Sequence, residues 1–432
     1  MPVRLYAMTL NRSENLAPSH GGSFSLQQPW DEAAPDPRPA ADGALPRLQP
    51  GSTVLVTGAT GFIGGRLVER LIQQGEVQVR CIVRDSSTTA RLARLPVELL
   101  PMDLRNGDEM NRAVKGVDYV FHCAYDWQSW RQNSNGLRNI VEACASHSVK
   151  RLVHVSTFAV YAPLADGPLT EESTGGGRAG VFIDTKRDLE KIIFEAIRNR
   201  RVAATIVQPT IVYGPYCVTW TNMPAESLIF GDVILTDGEV GVCNAVYIDD
   251  LVDGLILAAV SPAAVGERFL MSGPPTTWAT FFTEMARVLG TKPPQFWSSE
   301  QIQKHKEQVK KSQKIVISPK SVLKSIAGWS PARRAMEASF DVLPPSLRRK
   351  MASKFGSSPN GTRGGIVLPN PMYSSKTTIG SEKAKLKLGY KPRFDLQDGM
   401  ELTGRYLRWA YADDLPSAKS GSYEPPSGKT LA

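Results

Sequence analysis

Residues 52–74, STVLVTGATGFIGGRLVERLIQQ, constrain the chain more than any other stretch. STVLVTG is a short β-branched apolar run, and FIGGRLVERLIQQG carries apolar residues at helical spacing. The run therefore reads as a strand, a tight turn and a helix. Gly58, Gly61 and Gly64 fall in and just after the turn, where each has a physical task. Gly58 permits the tight turn, Gly61 lets the backbone approach a pyrophosphate at the helix N-terminus, and Gly64 allows close packing of helix on strand.

The same alternation continues through VQVRCIVR, VELLPMD, VDYVFHCA, VKRLVHVST and VAATIVQP, with helix-like segments such as GLRNIVEACASHS between them. Strands that are apolar on both faces and joined by helices imply an α/β fold, a parallel sheet covered on both sides. The pattern spans residues 51–215 and returns at AVYIDDLVDGLILAAV, so residues 51–215 plus 246–262 are expected to form the sheet domain. Residues 216–245 plus 263–412 are expected to form a smaller substrate domain with a basic insertion at about 300–370. Residues 1–50 and 413–432 are rich in Pro, Ala, Gly and Ser without periodicity, and read as a disordered leader and tail.

No apolar run is long enough for a signal-peptide core or a membrane span. Cys81, Cys123, Cys144, Cys217 and Cys243 are odd in number and lack a C-x-x-C pair. That spacing indicates neither a disulfide framework nor a metal site, and points to reduced thiols in a cytoplasmic protein. The net charge of +9 is local, because residues 301–356 hold 13 Lys or Arg against three acids. The segment lacks the interleaved aromatics of a nucleic-acid platform, so no nucleic acid is expected. Its mixture of apolar and cationic residues suggests a lid, or a helix lying on an acidic membrane face.

Taken in order, TGATGFIGG, MDL, VFHCA, NGLRN, VSTFAVYA, the lysine helix at 182–186, QPTIVYGP and VYIDDLVDGL resemble the extended short-chain dehydrogenase/reductases, also called the NAD-dependent epimerase/dehydratase family. The resemblance covers residues 52–290 and 375–411 and implies a Rossmann-type doubly wound sheet that binds NAD or NADP, with substrate between the domains. It places the dinucleotide against Gly58, Thr60, Gly61, Phe62, Ile63, Gly64, Asp103, Leu104, Cys123, Ala124, Lys186, Pro209 and Ile211. Arg84 ends the second strand, where an arginine would pair with a 2′-phosphate, so NADP is favoured; the adjacent Asp85 keeps NAD open.

The family's active site is a Ser or Thr, a Tyr, and a Lys four residues after the Tyr. Thr157 and Lys186 match, but the tyrosine position holds Phe182. A phenylalanine has no proton to give. Tyr125 and Asp126, directly after the fourth strand, are the leading substitutes, with Tyr161 and Tyr213 also near strand ends. The implied activity is oxidation, reduction or epimerisation at a secondary alcohol or ketone of a small, anionic substrate, a sugar nucleotide or a related glycan or lipid intermediate. A binding-only dinucleotide sensor is the alternative, and a homodimer is compatible with either. Sugar-nucleotide members often carry a basic residue shortly before the VDD-like segment; here that stretch has Cys243 and Asn244.

Overall fold

The computed structural model describes residues 45–84, 89–127, 129–238, 240–313, 366–367, 369 and 371–415. Its centre is a sheet built from β1 (Thr53–Thr57), β2 (Gln78–Val83), β3 (Glu98–Pro101), β4 (Tyr119–His122), β5 (Arg151–Val155), β6 (Ala204–Pro209) and β7 (Arg268–Met271). The strands run in the order β3-β2-β1-β4-β5-β6-β7, and every pairing is parallel. The strand order reverses between β1 and β4, which opens a crevice at their C-terminal ends.

Side chains alternate across this sheet. Val54 and Val56 of β1 pack with Leu67, Val68 and Leu71 of α1 (Phe62–Gln74). Leu55 faces the other way, toward a core shared by α2 (Gly107–Val114), α3 (Trp130–Ser146) and α4 (Val181–Arg198). A fifth helix, α5 (Ile248–Val260), lies with α1 on the first face. Burial on both faces explains why β5 and β6 contain no exposed position.

Segments outside the main sheet form further short sheets. Ile211–Tyr213 pairs with Ala245–Tyr247, and Gly167–Leu169 pairs with Thr377–Ile379. Asp232–Thr236 lies between Gln295–Trp297 and Ile366–Val367, parallel to both.

Two expected boundaries are corrected. β7 comes from residues assigned above to the substrate domain, yet it completes the main sheet against β6; the short run RFLM is the return strand after α5. The leader expected to reach residue 50 ends sooner, since Leu48 is buried in the core and the Pro46 carbonyl accepts from Gln74. The rest of the leader, residues 1–44, and the tail from 416 lie outside the described residues, as does the basic stretch beyond the helix Ser299–Gln313. No described helix is long and apolar enough to cross a membrane. All five cysteines are free thiols, four of them buried.

Candidate functional site

The turn after β1 is held against the end of β4. Gly58 has φ +68°, and a Cβ there would lie 2.7 Å from the Ala124 amide nitrogen, so no other residue fits. The Cys123 amide donates to the Thr57 carbonyl at 3.2 Å and the Ala124 amide to Thr57 Oγ1 at 3.3 Å. A Cβ on Gly64 would collide with the Gly58 carbonyl oxygen, which fixes how closely α1 sits on the turn. The helix starts at Gly61 with no side-chain cap and no acid in its first turn. Thr60 and Gly61 are exposed, while Phe62 and Ile63 are half-buried. An uncapped helix N-terminus presents backbone donors and the positive end of the dipole to the crevice, which suits a pyrophosphate.

Beside this turn, at the ends of β2, β3 and β4, lie two ion pairs. Arg84 Nη1 donates to Asp126 Oδ2 at 2.8 Å, with the Arg84 side chain two-thirds exposed. Arg105 grips both carboxylate oxygens of Asp103 and holds that acid below its ordinary range. The Leu104 carbonyl accepts from Asn139, and Leu104 fills the space that a side chain on Gly136 would take. Asp85 lies outside the described residues. Asp126 is thus paired with Arg84, while Tyr125 packs on Phe182.

The Tyr125 ring meets the Phe182 ring edge-on, centroids 5.2 Å apart, and the Lys186 ammonium lies over it, 4.9 Å from the centroid. Burial pushes the Tyr125 pKa upward, with Thr185 opposing and Asp126 reinforcing the shift, so the phenol is protonated at neutral pH. The structure thus puts a phenol against the helix position where the sequence lacks one. Lys186 is buried and donates to the Val155 carbonyl at 2.9 Å; burial lowers its pKa to about 8. Thr157, two residues beyond that carbonyl, is half-buried, and its hydroxyl accepts from the Ala159 amide.

The other tyrosines are committed elsewhere. Tyr161 is buried and donates to Gln208 Oε1 at 2.8 Å, within a network that joins Gln208 and Ser156 to Glu190. Tyr213 is buried among Tyr247 and Phe281. Pro209 closes β6 opposite Met271, and Ile211 is 2% exposed with its amide bonded to the Asn244 carbonyl, so its side chain serves the core. Beneath the site, His122 and His154 stack with centroids 5.2 Å apart, and Thr57 Oγ1 lies 2.7 Å from His122 Nδ1.

Two residues of this region escape the sequence reading. Trp127 stacks on Phe182, centroids 5.0 Å apart and planes at 15°. Arg91 bonds to Glu69 of α1 at 2.6 Å and lies over the Tyr216 ring, 4.3 Å from the centroid. Neither belongs to a motif; only the exposed tryptophan beside a strand end was a signal in the sequence.

The family model for the NAD dependent epimerase/dehydratase family matches residues 54–271. A Synechocystis protein is 36% identical over 191 residues, covering 42% of this chain and 53% of its own length, so the match spans about half of that relative. Sterol demethylase protein B of Methylococcus capsulatus is 30% identical over 232 residues, 51% of this chain and 70% of that protein. Among solved structures, dTDP-glucose 4,6-dehydratase of Bacillus anthracis in complex with NAD is similar with a TM-score of 0.59 at 15% identity, over 83% of this chain and 97% of that one.

Proposed function

Because the chain belongs to the NAD dependent epimerase/dehydratase family, we propose that it is a nicotinamide-dinucleotide enzyme acting at a secondary alcohol or ketone, with Tyr125 as its proton donor. The observation that carries this reading is the Tyr125 ring held against Phe182 and under Lys186. A dinucleotide fits the crevice through the Gly58 turn, the uncapped start of α1 and the Cys123–Ala124 backbone. When bound there, the nicotinamide supplies hydride exchange with the carbonyl carbon. Tyr125 gives the carbonyl oxygen its proton, and its raised pKa keeps that proton in place at neutral pH, the state needed for reduction. Thr157 positions the same oxygen from the end of β5. Lys186 meets the face of the phenol ring and not its oxygen, so its part is to orient Tyr125 and to reach the nicotinamide ribose. Asp126 orients Arg84 for a 2′-phosphate, which makes NADP the preferred dinucleotide.

Tyr125→Phe should lower turnover by about 100- to 10,000-fold with NADPH affinity unchanged. Unchanged turnover would remove Tyr125 from the chemistry, and tight dinucleotide binding with no turnover on any carbonyl substrate would favour a binding-only sensor. Arg84→Ala should weaken NADPH by roughly tenfold or more and leave NADH within about twofold, since only the phosphate loses a charged partner.

A further inference from the structure

A tyrosine stands where the backbone calls for glycine. The strand Ile211–Tyr213 is followed by Gly214, Pro215, Tyr216 and Cys217, and the Cys217 amide donates to the Gly214 carbonyl at 3.2 Å. In a four-residue turn with proline second and a left-handed third residue, that third place ordinarily holds glycine. Tyr216 occupies it at φ +71°. The two other non-glycine residues with positive φ among the described residues, Ser148 and Arg200, lie just past the ends of α3 and α4, where a left-handed residue is common. The turn is fixed from both sides, since the Gly214 amide donates to Thr221 Oγ1 at 3.0 Å and the Asn222 amide to the Cys217 carbonyl at 2.9 Å. A bulky side chain held in this conformation is strained, and such strain points to a task for the side chain.

The task is visible in what the ring touches. Tyr216 is 48% exposed, with the Arg91 guanidinium over its ring and Tyr406 of the helix Leu396–Ala410 against it, centroids 4.9 Å apart. Arg91 is itself anchored on α1 through Glu69, whose other carboxylate oxygen accepts from Arg66 at 3.1 Å. A Cβ built on Gly65 would stand 3.2 Å from Arg91 Nη1, and the Gly65 amide donates to the Gly61 carbonyl, so Arg91 lies against the first turn of α1. That turn carries the amides suited to a pyrophosphate. Through Arg91, the Tyr216 ring therefore ties the loop 214–222 and the helix Leu396–Ala410 to the phosphate end of the crevice.

We propose that Tyr216 is a positioning residue: with Arg91 it forms a clasp that holds the loop 214–222 against α1 and slows the release of a bound dinucleotide. This goes beyond the function proposed above and rests on its dinucleotide site. The contact between cation and ring offsets the strain of the turn, so the loop stays down only while both partners are present.

The test is stopped-flow release of NADPH from the full-length protein, followed by nicotinamide fluorescence after mixing with excess NADP⁺. Tyr216→Gly and Arg91→Met should each release NADPH about tenfold faster or more, whereas Tyr216→Phe, which keeps the ring, should stay within about threefold of the parent. The double variant Arg91→Met with Tyr216→Gly should release no faster than the quicker single one, because both changes remove the same contact. Glycine relaxes the turn, so dinucleotide-free Tyr216→Gly should melt within a few degrees of the parent or above it. Arg91→Met leaves the turn untouched and decides the matter should Tyr216→Gly fail to fold. Release at the parent's rate from these variants, or effects that multiply in the double variant, would overturn the clasp and leave the dinucleotide site standing. A Tyr216→Gly protein that melts far earlier yet releases NADPH like the parent would make the ring structural and overturn it too. A parent that binds no NADPH would overturn the site and the clasp together.

Discussion

Phe182 keeps the shape of a tyrosine ring without its oxygen, and it is half-buried between Tyr125 and Trp127. The two aromatic positions can therefore be exchanged. Phe182→Tyr in the Tyr125→Phe background should recover at least about tenfold of the lost turnover, within the range of a positioned acid, and a melting temperature close to the parent's should accompany it. A double variant as inactive as Tyr125→Phe alone would mean that the oxygen is needed at the strand end and nowhere else. Lys186 supports a pH experiment whose sign is fixed. Its pKa in the native protein is about 8 against an ordinary 10.5, so between those values the unfolded chain holds a proton that the native protein has released. Stability from this group accordingly rises with pH through that window, and is lowest below it, where a buried cation must be kept. The melting temperature of the dinucleotide-free protein, relative to Lys186→Met, should increase from pH 7.5 to 9.5. The missing acid at Phe182 was legible in the sequence as an empty place in a four-residue spacing. The replacement proposed for it was legible only as two neighbours, Tyr125 and Asp126, because nothing in a strand end says which way each side chain turns. The ion pair with Arg84 and the contact with Phe182 favour Tyr125 in that proposal.

At the scale of elements, the acids of VYIDDLVDGL join α5 to the rest of the protein. Arg66 Nε meets Asp249 Oδ1 at 2.5 Å, Arg70 Nη1 meets Asp253 Oδ1 at 2.5 Å, and Arg393 Nη2 reaches the other oxygen of Asp253 at 2.9 Å. Asp250 accepts from the amides of Arg393 and Phe394, and burial raises its pKa to about 6. Arg70 and Asp253 are each 5% exposed, and removing Arg70 leaves the buried Asp253 with Arg393 as its remaining cation. Arg70→Met should therefore destabilise by less than the roughly 3–5 kcal/mol of a wholly unpaired buried charge in urea unfolding, and adding Asp253→Leu should recover part of that loss, because an apolar pair of similar volume replaces a desolvated one. The motif itself was visible in the sequence, and so were the strands and helices, whose apolar runs carry the sheet. Partners such as Arg70 and Arg393 were not, since a charged residue on a helix or in a loop reads as solvated until packing brings another element over it. The strand β7 was assigned to the wrong domain for a related reason: three apolar residues after a long helix carry no sign of which sheet they join.

At the scale of the whole molecule, a parallel sheet whose crevice is proposed to hold the dinucleotide is distinct from the short sheets outside it. The helix Ser299–Gln313 is about 22 Å long, and Ile366 resumes on the small sheet from which that helix departs. Replacing residues 316–360 with a flexible linker of about 15 residues, which spans a similar distance, should leave the melting temperature within a few degrees and NADPH affinity unchanged. Loss of binding on deletion would place part of the cofactor site in that stretch. The same pair of proteins tests the cationic segment: the parent should bind anionic vesicles below roughly 0.1 M salt and release them above it, and the shortened chain should bind far less. The placement of Gln295–Trp297 and Ile366–Val367 on either side of one strand has a further meaning. Two strands flanking a third are only about 10 Å apart, so both ends of the intervening chain are anchored on one small platform. A chain with such a platform can gain or lose sequence by descent, or accept a reporter domain by design, while the catalytic cleft is inherited unchanged.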